Sequence, residues 1–199
     1  METIWGRRSL DLDLTGLNNR LTNYNRVVLD LGTGDGRYVH TLAERNPHWF
    51  VIGVDSCREN LREHSRMKLP NALFIIANAQ KLPNELNGLA SHITINFPWG
   101  SLLEGLLAND PTLMRGLESI SFSATSIDVR LNGGAMAEVG TALEAGAKKI
   151  HNNLLCAGWQ MDDPVAIDIC ALLKFPSTWA KRLAFGRDPH AMQLSGYIK

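Results

Sequence analysis

Arg26–Arg37 reads RVVLDLGTGDGR. Arg26–Leu31 is a short apolar run that stops at a glycine-rich turn, the pattern of a buried strand. The turn opens directly into Arg37–Arg45, a helical stretch that ends before Asn46-Pro47. A strand, a glycine-rich turn and a helix in this order make the first unit of an α/β fold. Working outward, Trp49–Val54, Ala72–Ala77, Ile93–Phe97 and Ser123–Leu131 read as further strands. Arg58–Lys68, Leu102–Leu107 and Thr141–Ala157 read as helices between them, the last stopped by Gly158. Val165–Leu173 and Met192–Ile198 close the chain as two strands, expected antiparallel at the sheet edge. The expectation is a single α/β domain, 1–199, with a mostly parallel, doubly wound sheet, an antiparallel last strand and an N-terminal hairpin extension over 1–25.

Ligands of such sheets lie at the carboxyl ends of the strands, near the point where strand order reverses. The turn Asp30-Leu31-Gly32-Thr33-Gly34-Asp35-Gly36 belongs there. Its glycines let the backbone approach a ligand closely. Arg37 stands where the third glycine of the dinucleotide fingerprint G-x-G-x-x-G belongs, so a pyrophosphate is not indicated. Asp30, just before the glycines, suits a cationic ligand. S-adenosylmethionine (SAM) carries an ammonium and a sulfonium. Asp55, with Ser56 beside it, ends the second strand at the distance expected of a carboxylate that accepts ribose hydroxyls. Ala79 and Gln80 follow the third strand, where an adenine edge would meet backbone groups. Together these positions predict a class I SAM-dependent methyltransferase (Rossmann-like) fold. A hydride-transferring nucleotide fold is the competing reading of the glycine turn.

The fourth strand ends in Asn96-Phe97-Pro98-Trp99-Gly100, which fixes an aromatic face beside the cofactor. A core tryptophan at a strand-end turn is the alternative. A second aromatic, Trp179, sits with Lys181, Arg182 and Arg187 in a basic segment, read as a loop over 174–191. An aromatic among cations is an arrangement that holds a base and its flanking phosphates, although Trp179 and Phe185 could equally anchor a solvated loop. Arg58, Arg62 and Arg66, at helical spacing, form a candidate basic stripe, with Glu59 and Glu63 as possible intrahelical partners.

Composition narrows the class. Lysines plus arginines equal aspartates plus glutamates at 20 each, which argues against tight non-specific nucleic-acid binding but leaves room for a local basic face. The three cysteines, Cys57, Cys156 and Cys170, are widely spaced with no C-x-x-C pair, so neither a disulfide framework nor a metal site is expected. Met1–Gly6 is followed by Arg7 and Arg8 without a long apolar stretch, so no signal peptide is expected and a cytoplasmic location is the default. A monomer is likewise the default.

Three stretches carry a closer resemblance: LDLGTGDGR (Leu29–Arg37), NFPWGSLLE (Asn96–Glu104) and WAKRLAFGR (Trp179–Arg187). In these the chain resembles the aminoglycoside-resistance 16S rRNA methyltransferases that modify N1 of adenine 1408, the kanamycin–apramycin resistance family. The resemblance implies that Trp99 and Trp179 sandwich a flipped adenine and that Ser101 and Ser177 help line the cofactor side. Lys181, Arg182 and Arg187 would grip 16S rRNA in the assembled 30S subunit, with Pro98 and the basic residues Arg62, Arg66 and Lys68 adding contacts. Gln80 stands where the family usually carries an acidic residue. Asn96-Phe97-Pro98-Trp99 also differs by one residue from the N-P-P-W/Y motif of exocyclic-amine methyltransferases, so N6-adenine or N2-guanine methylation is a rival reading. A SAM-binding, RNA-interacting paralogue without activity is another.

Overall fold

The computed structural model describes residues 1–67, 69–186 and 189–199. Lys68 and Arg187, both expected to contact RNA, lie outside the described residues.

Strand β3 (Arg26–Leu31) is the centre of the sheet. Its Val28, Leu29 and Leu31 are fully buried, as a strand covered on both faces requires. It pairs in parallel with β4 (Trp49–Asp55) on one side and β6 (Ala90–Asn96) on the other. Strand β5 (Ala72–Ile76) extends the sheet beyond β4, and β7 (Ser121–Asn132) extends it beyond β6. The hairpin of β1 (Glu2–Trp5) and β2 (Arg8–Asp11) adds antiparallel strands beside β5. At the other end stand β8 (Trp159–Met161), β9 (Val165–Ile167) and β10 (Ala191–Ile198). Among the described residues the order is β2-β1-β5-β4-β3-β6-β7-β10-β8, with β9 also paired to β10. The order in which strands are added therefore reverses between β3 and β6, and the cleft of a doubly wound sheet belongs at that point.

Two layers of helices follow from the alternation along the strands. Leu29, Leu31, Ile52, Val54, Ile93, Ile95, Ile127 and Val129 share the main core with α1 (Leu14–Leu21), α4 (Gly100–Ala108), α5 (Pro111–Ile120), α6 (Gly133–Glu138) and α7 (Leu143–Cys156). Val28, Val51 and Phe74 form a second core with Val39 and Ala43 of α2 (Arg37–Arg45). A third, smaller cluster joins Phe97 and Ala191 to Leu172 of α8 (Ile169–Lys174) and to Ala180 and Ala184 of α9 (Thr178–Ala184).

Three expectations need correction. Arg58–Lys68 is not a continuous helix: α3 covers only Arg58–Leu61, followed by a 3-10 turn at His64–Arg66. Tertiary partners take this segment's groups, since Ser65 Oγ accepts from Gly6 N at 2.8 Å and His64 Nδ1 lies 2.6 Å from the Asp35 carbonyl. Such contacts override local propensity. Val165–Leu173 is a strand only to Ile167; Asp168 then caps α8, accepting from Ala171 N at 2.9 Å. The last strand is not at the sheet edge. β10 pairs antiparallel with β7 on one side and with β8 and β9 on the other, so both of its backbone edges are satisfied inside the sheet.

Gly36 shows how closely the turn and α2 are fitted. It begins α2 at φ +77°, and a Cβ there would lie 2.5 Å from Phe74 Cε1. Gly36→Ala adds backbone strain and a clash in the second core, and should destabilise by about 1–3 kcal/mol. A urea midpoint lowered by that amount with an unchanged m-value is the expected result; an unchanged midpoint would show that α2 shifts freely.

Candidate active site

The carboxyl ends of β3, β4, β5 and β6 enclose a cleft of about 350 Å³, within the range of small-molecule sites, roughly 300–1,000 Å³. The glycine turn forms one wall. Gly32 N and Thr33 N donate to the Val54 carbonyl at 2.9 and 3.0 Å, which pins the turn to the end of β4. Gly34, at φ +60°, has open space where a side chain would be, so its backbone is bare toward a ligand. Asp55 organises the same corner. Its Oδ2 accepts from Gly34 N and its Oδ1 from Cys57 N, both at 2.8 Å. Burial raises its carboxyl above the usual carboxylate range, against the pull of those two bonds. Each oxygen retains a lone pair for a ligand hydroxyl.

Of the expected positions, Gly32, Gly34, Asp55, Ser56, Ala79, Asn96, Pro98, Trp99, Ser101 and Trp179 line this cleft. Asn78, in the Ala77–Gln80 stretch expected to meet an adenine edge, lines it too; Cys57 and Asn60 line it and were not expected, and their place just beyond the end of β4 is the signal that marks them. Asp30, Thr33, Gly36, Gln80 and Ser177 are not in the wall. Gln80 turns aside and donates to the Ser101 carbonyl at 3.4 Å. Thr33 instead packs its methyl over Gly53, where a Cβ would meet it at 3.0 Å. Ser177 is the N-cap of α9, its Oγ accepting from Ala180 N at 3.1 Å. The segment read as a basic loop is thus in part a helix, and a serine followed three residues later by a small apolar residue was the unread cap.

Asp30 lies behind the cleft rather than in it, 1% exposed. Its Oδ1 accepts from Thr94 Oγ1 at 2.7 Å and from Asn96 Nδ2 at 2.8 Å. The other end of the Asn96 amide, Oδ1, accepts from Arg130 Nη1 at 2.9 Å, and Arg130 Nη2 donates to Asp128 Oδ2 at 3.1 Å. Burial, opposed by these bonds and by Arg130, pushes the Asp30 carboxyl up to about 6. Above this polar row lie Phe175, whose ring is stacked on Tyr38 at 5.1 Å, and the Arg130 guanidinium, 4.7 Å from the Phe175 ring centre. Burial also pushes the Tyr38 hydroxyl up to about 12, so it stays neutral.

Trp99 and Trp179 meet at the mouth, with ring centres 5.3 Å apart and planes 31° from parallel. Trp99 packs against the main core, and its Nε1 is buried without a partner among the described residues. Trp179 is 38% exposed on α9, with the Arg182 guanidinium 5.2 Å from its ring centre. Helix α9 rests on the sheet through Ala180 and Ala184 and leaves Lys181 and Arg182 exposed.

The arginine stripe expected on one helix face does not exist as such. Arg58 is paired with Glu2 of the hairpin, Arg62 with Glu59 at 3.0 Å, and the Arg66 stem packs over Gly6. Arg62 and Arg66 remain exposed. The Arg62–Glu59 pair is a surface pair of small worth, about 0–1 kcal/mol, and does not withhold Arg62 from another anion.

A carboxyl raised from 3.8 to about 6 makes the folded state bind a proton more tightly than the unfolded chain. Stability is therefore lost as pH rises from about 4 to about 6, on the order of 3 kcal/mol in all. Asp30→Asn retains an oxygen for Thr94 and removes the buried charge. It should raise the denaturation midpoint at pH 8, with the gain shrinking toward pH 4. Equal midpoints at pH 8 would mean that Arg130 and the hydrogen bonds offset the whole cost.

Comparisons with known proteins agree with this architecture. The family model described as "NpmA: 16S rRNA (adenine(1408)-N(1))-methyltransferase" matches residues 2–198. A 16S rRNA (adenine(1408)-N(1))-methyltransferase of Escherichia coli is 33% identical, over 97% of this chain and 96% of that protein. One from Streptoalloteichus hindustanus is 30% identical, over 94% of each. The crystal structure of the 16S rRNA methyltransferase KamB superposes with a TM-score of 0.90 at 28% identity, covering 100% of both chains. A W203A mutant of the Catenulisporales acidiphilia methyltransferase, solved with the cosubstrate SAM, shares the fold at a TM-score of 0.87 and 21% identity, over 100% of this chain and 96% of that one. With its glycine turn, its cleft and its tryptophan pair on an α/β sheet of this order, the chain belongs to the 16S rRNA (adenine(1408)-N(1))-methyltransferase family.

Proposed function

We propose that this protein methylates N1 of adenine 1408 in 16S rRNA of the assembled 30S subunit, with Trp99 and Trp179 as the clamp for the flipped base. The observation that carries this reading is the tryptophan pair at the mouth of the cleft. The residues present suit SAM. Asp55 retains acceptor capacity for vicinal hydroxyls, Gly34 exposes bare backbone, and Trp99 Nε1 is an orphaned donor in the wall. When bound, SAM supplies an electrophilic methyl group on its sulfonium.

The chain's own part is to hold, orient and exclude water. Adenine N1 offers a neutral lone pair and carries no proton, so no general base is needed. Alignment alone can supply roughly 7–11 kcal/mol in favourable cases. The methylated base is cationic. Indole faces attract the developing charge by about 2 kcal/mol or more when desolvated, and replace the stacking that the base loses on leaving its helix.

The two indoles touch each other in this structure, whereas a base between them needs faces about 7 Å apart, two contacts of about 3.5 Å each. Trp179 is the side that gives way, because α9 is seated by alanines while Trp99 is packed on the core. On this reading the exposed Lys181 and Arg182 of α9, and Arg62 and Arg66 between α3 and β5, meet phosphates. With so few cations the protein must read shape over several contacts, which favours the assembled subunit over naked rRNA.

In the rival N6-amine reading the Asn side chain is an acceptor; here Asn96 Oδ1 accepts from Arg130 and Nδ2 donates to Asp30, which leaves the oxygen one lone pair, and the target test below separates the two readings. Among the described residues no helix is long and apolar enough to cross a membrane, and the reading places the protein in the cytoplasm, acting as a monomer. On this reading the modification confers aminoglycoside resistance.

Transfer of labelled methyl groups to purified 30S subunits, followed by reverse transcription, tests the target. A stop next to adenine 1408 is expected, since an N1-methyl group blocks the pairing edge. Label without a stop would point to N6, and label on naked rRNA at an equal rate would remove the subunit requirement. Trp99→Ala and Trp179→Ala should each lower kcat/KM by about ten- to a hundredfold, matching about 1–3 kcal/mol of lost stacking, with SAM affinity by calorimetry little changed. Parallel loss of SAM binding would make that tryptophan part of the cofactor wall instead.

A further inference from the structure

Arg130 has no part in binding either substrate in the reading above, yet it is nearly buried, with 13% of its side chain exposed, and it touches both target-facing segments. We propose that Arg130 is a positioning residue for the base clamp, tying Asn96 to Phe175 so that the roots of the segments carrying Trp99 and Trp179 stay joined when α9 shifts to admit a base. The inference rests on the clamp reading.

Three contacts support it. The first is to Asn96. A guanidinium only donates and a carboxylate only accepts, so an amide lying between Arg130 and Asp30 has a single satisfied orientation: oxygen toward Arg130, nitrogen toward Asp30. That orientation locks the last residue of β6, three before Trp99. The second is through the backbone. Phe97 N donates to the Arg130 carbonyl at 2.7 Å, and Phe97 has φ +53°, a left-handed bend in a bulky residue that sends Pro98-Trp99 out of the strand. The third is to Phe175. Its ring lies 4.7 Å from the Arg130 guanidinium carbon, stacks on Tyr38 and meets Phe97 edge-on at 5.9 Å. Phe175 is the C-cap of α8, and only Pro176, Ser177 and Thr178 separate it from Trp179. Asp128, on the Arg130 Nη2, holds the guanidinium flat. One side chain thus joins the end of β6 to the start of α9.

The test reads the indole pair directly. Two indoles 5.3 Å apart should give an exciton couplet in circular dichroism, absent from Trp179→Phe, without any RNA. Arg130→Ala is expected to lose most of the couplet and to lower kcat on 30S subunits by about ten- to a hundredfold, with SAM affinity little changed. Arg130→Lys, which donates to Asn96 but cannot both stack and fork, should fall between the two. If Arg130→Ala does not fold, Phe175→Leu removes the ring under the guanidinium and keeps the apolar cover; it too should weaken the couplet and kcat. A folded Arg130→Ala with couplet and kcat intact would overturn the proposal, as would loss of SAM affinity in step with kcat, which marks a general collapse of the strand ends. Loss of the couplet with kcat kept would leave Arg130's hold on the indoles standing and remove the clamp reading beneath it.

Discussion

A carboxylate buried at the centre of the sheet is the constraint around which the site is built. Asp30 sits on β3 one residue before the glycine turn and is shut away from water, a placement that is unfavourable unless every oxygen is well served. Thr94 and Asn96 on the next strand supply the donors, and Asn96 is in turn oriented by Arg130 on the strand after that. Satisfying one charge therefore sets the order of side chains across three strand ends. The parallel register makes this possible, because Asp30 is paired with Thr94 and Asn96 with Arg130.

The same register divides the molecule into a firm half and a light half. The glycine-turn wall of the cleft stands on β3, β4 and β6, whose Val28, Leu29, Val51, Ile52, Ile93 and Ile95 are fully buried, and its turn is tied down by backbone hydrogen bonds to Val54. The target side is different. Helix α9 has seven residues, sits on two alanines, and leaves Trp179 partly exposed and the adjoining Phe185 largely in solvent. Few buried apolar contacts mean a small local opening free energy. On the clamp proposal, a base that enters between two touching indoles needs the flexible part of the site there. Asp35 links the two halves: its Oδ2 accepts from Thr178 Oγ1 at 2.5 Å, and its carbonyl meets His64 of the linker after β4.

Chemistry asks for little else. A nucleophile that is already a free lone pair leaves the protein the tasks of alignment and of stabilising positive charge, and in the clamp proposal aromatic faces take on both. The formal net charge of zero is compatible with this, because a few exposed cations such as Lys181 and Arg182 on α9 make a local basic face, while Arg58 is matched by Glu2 within the fold.

The amino-acid sequence by itself determined the elements whose apolar pattern is strong and whose ends are marked. Arg26–Leu31 and Arg37–Arg45 have their expected boundaries, because one is a buried run ended by glycine and the other is stopped before Asn46-Pro47. The strand-end positions of Gly34, Asp55 and Trp99 were legible for the same reason: a parallel sheet brings its carboxyl ends together whatever lies between. What depended on distant partners was not legible. Arg58–Lys68 has helical spacing, yet Gly6, Asp35 and Glu2 claim its groups from elsewhere in the chain. The placement of β10 inside the sheet, the retreat of Asp30 behind the cleft and the contact of Asn96 with Arg130 each follow from strand register. Register is a relation between segments far apart in sequence, settled by which side chains can be buried together, and so only the tertiary structure decided it.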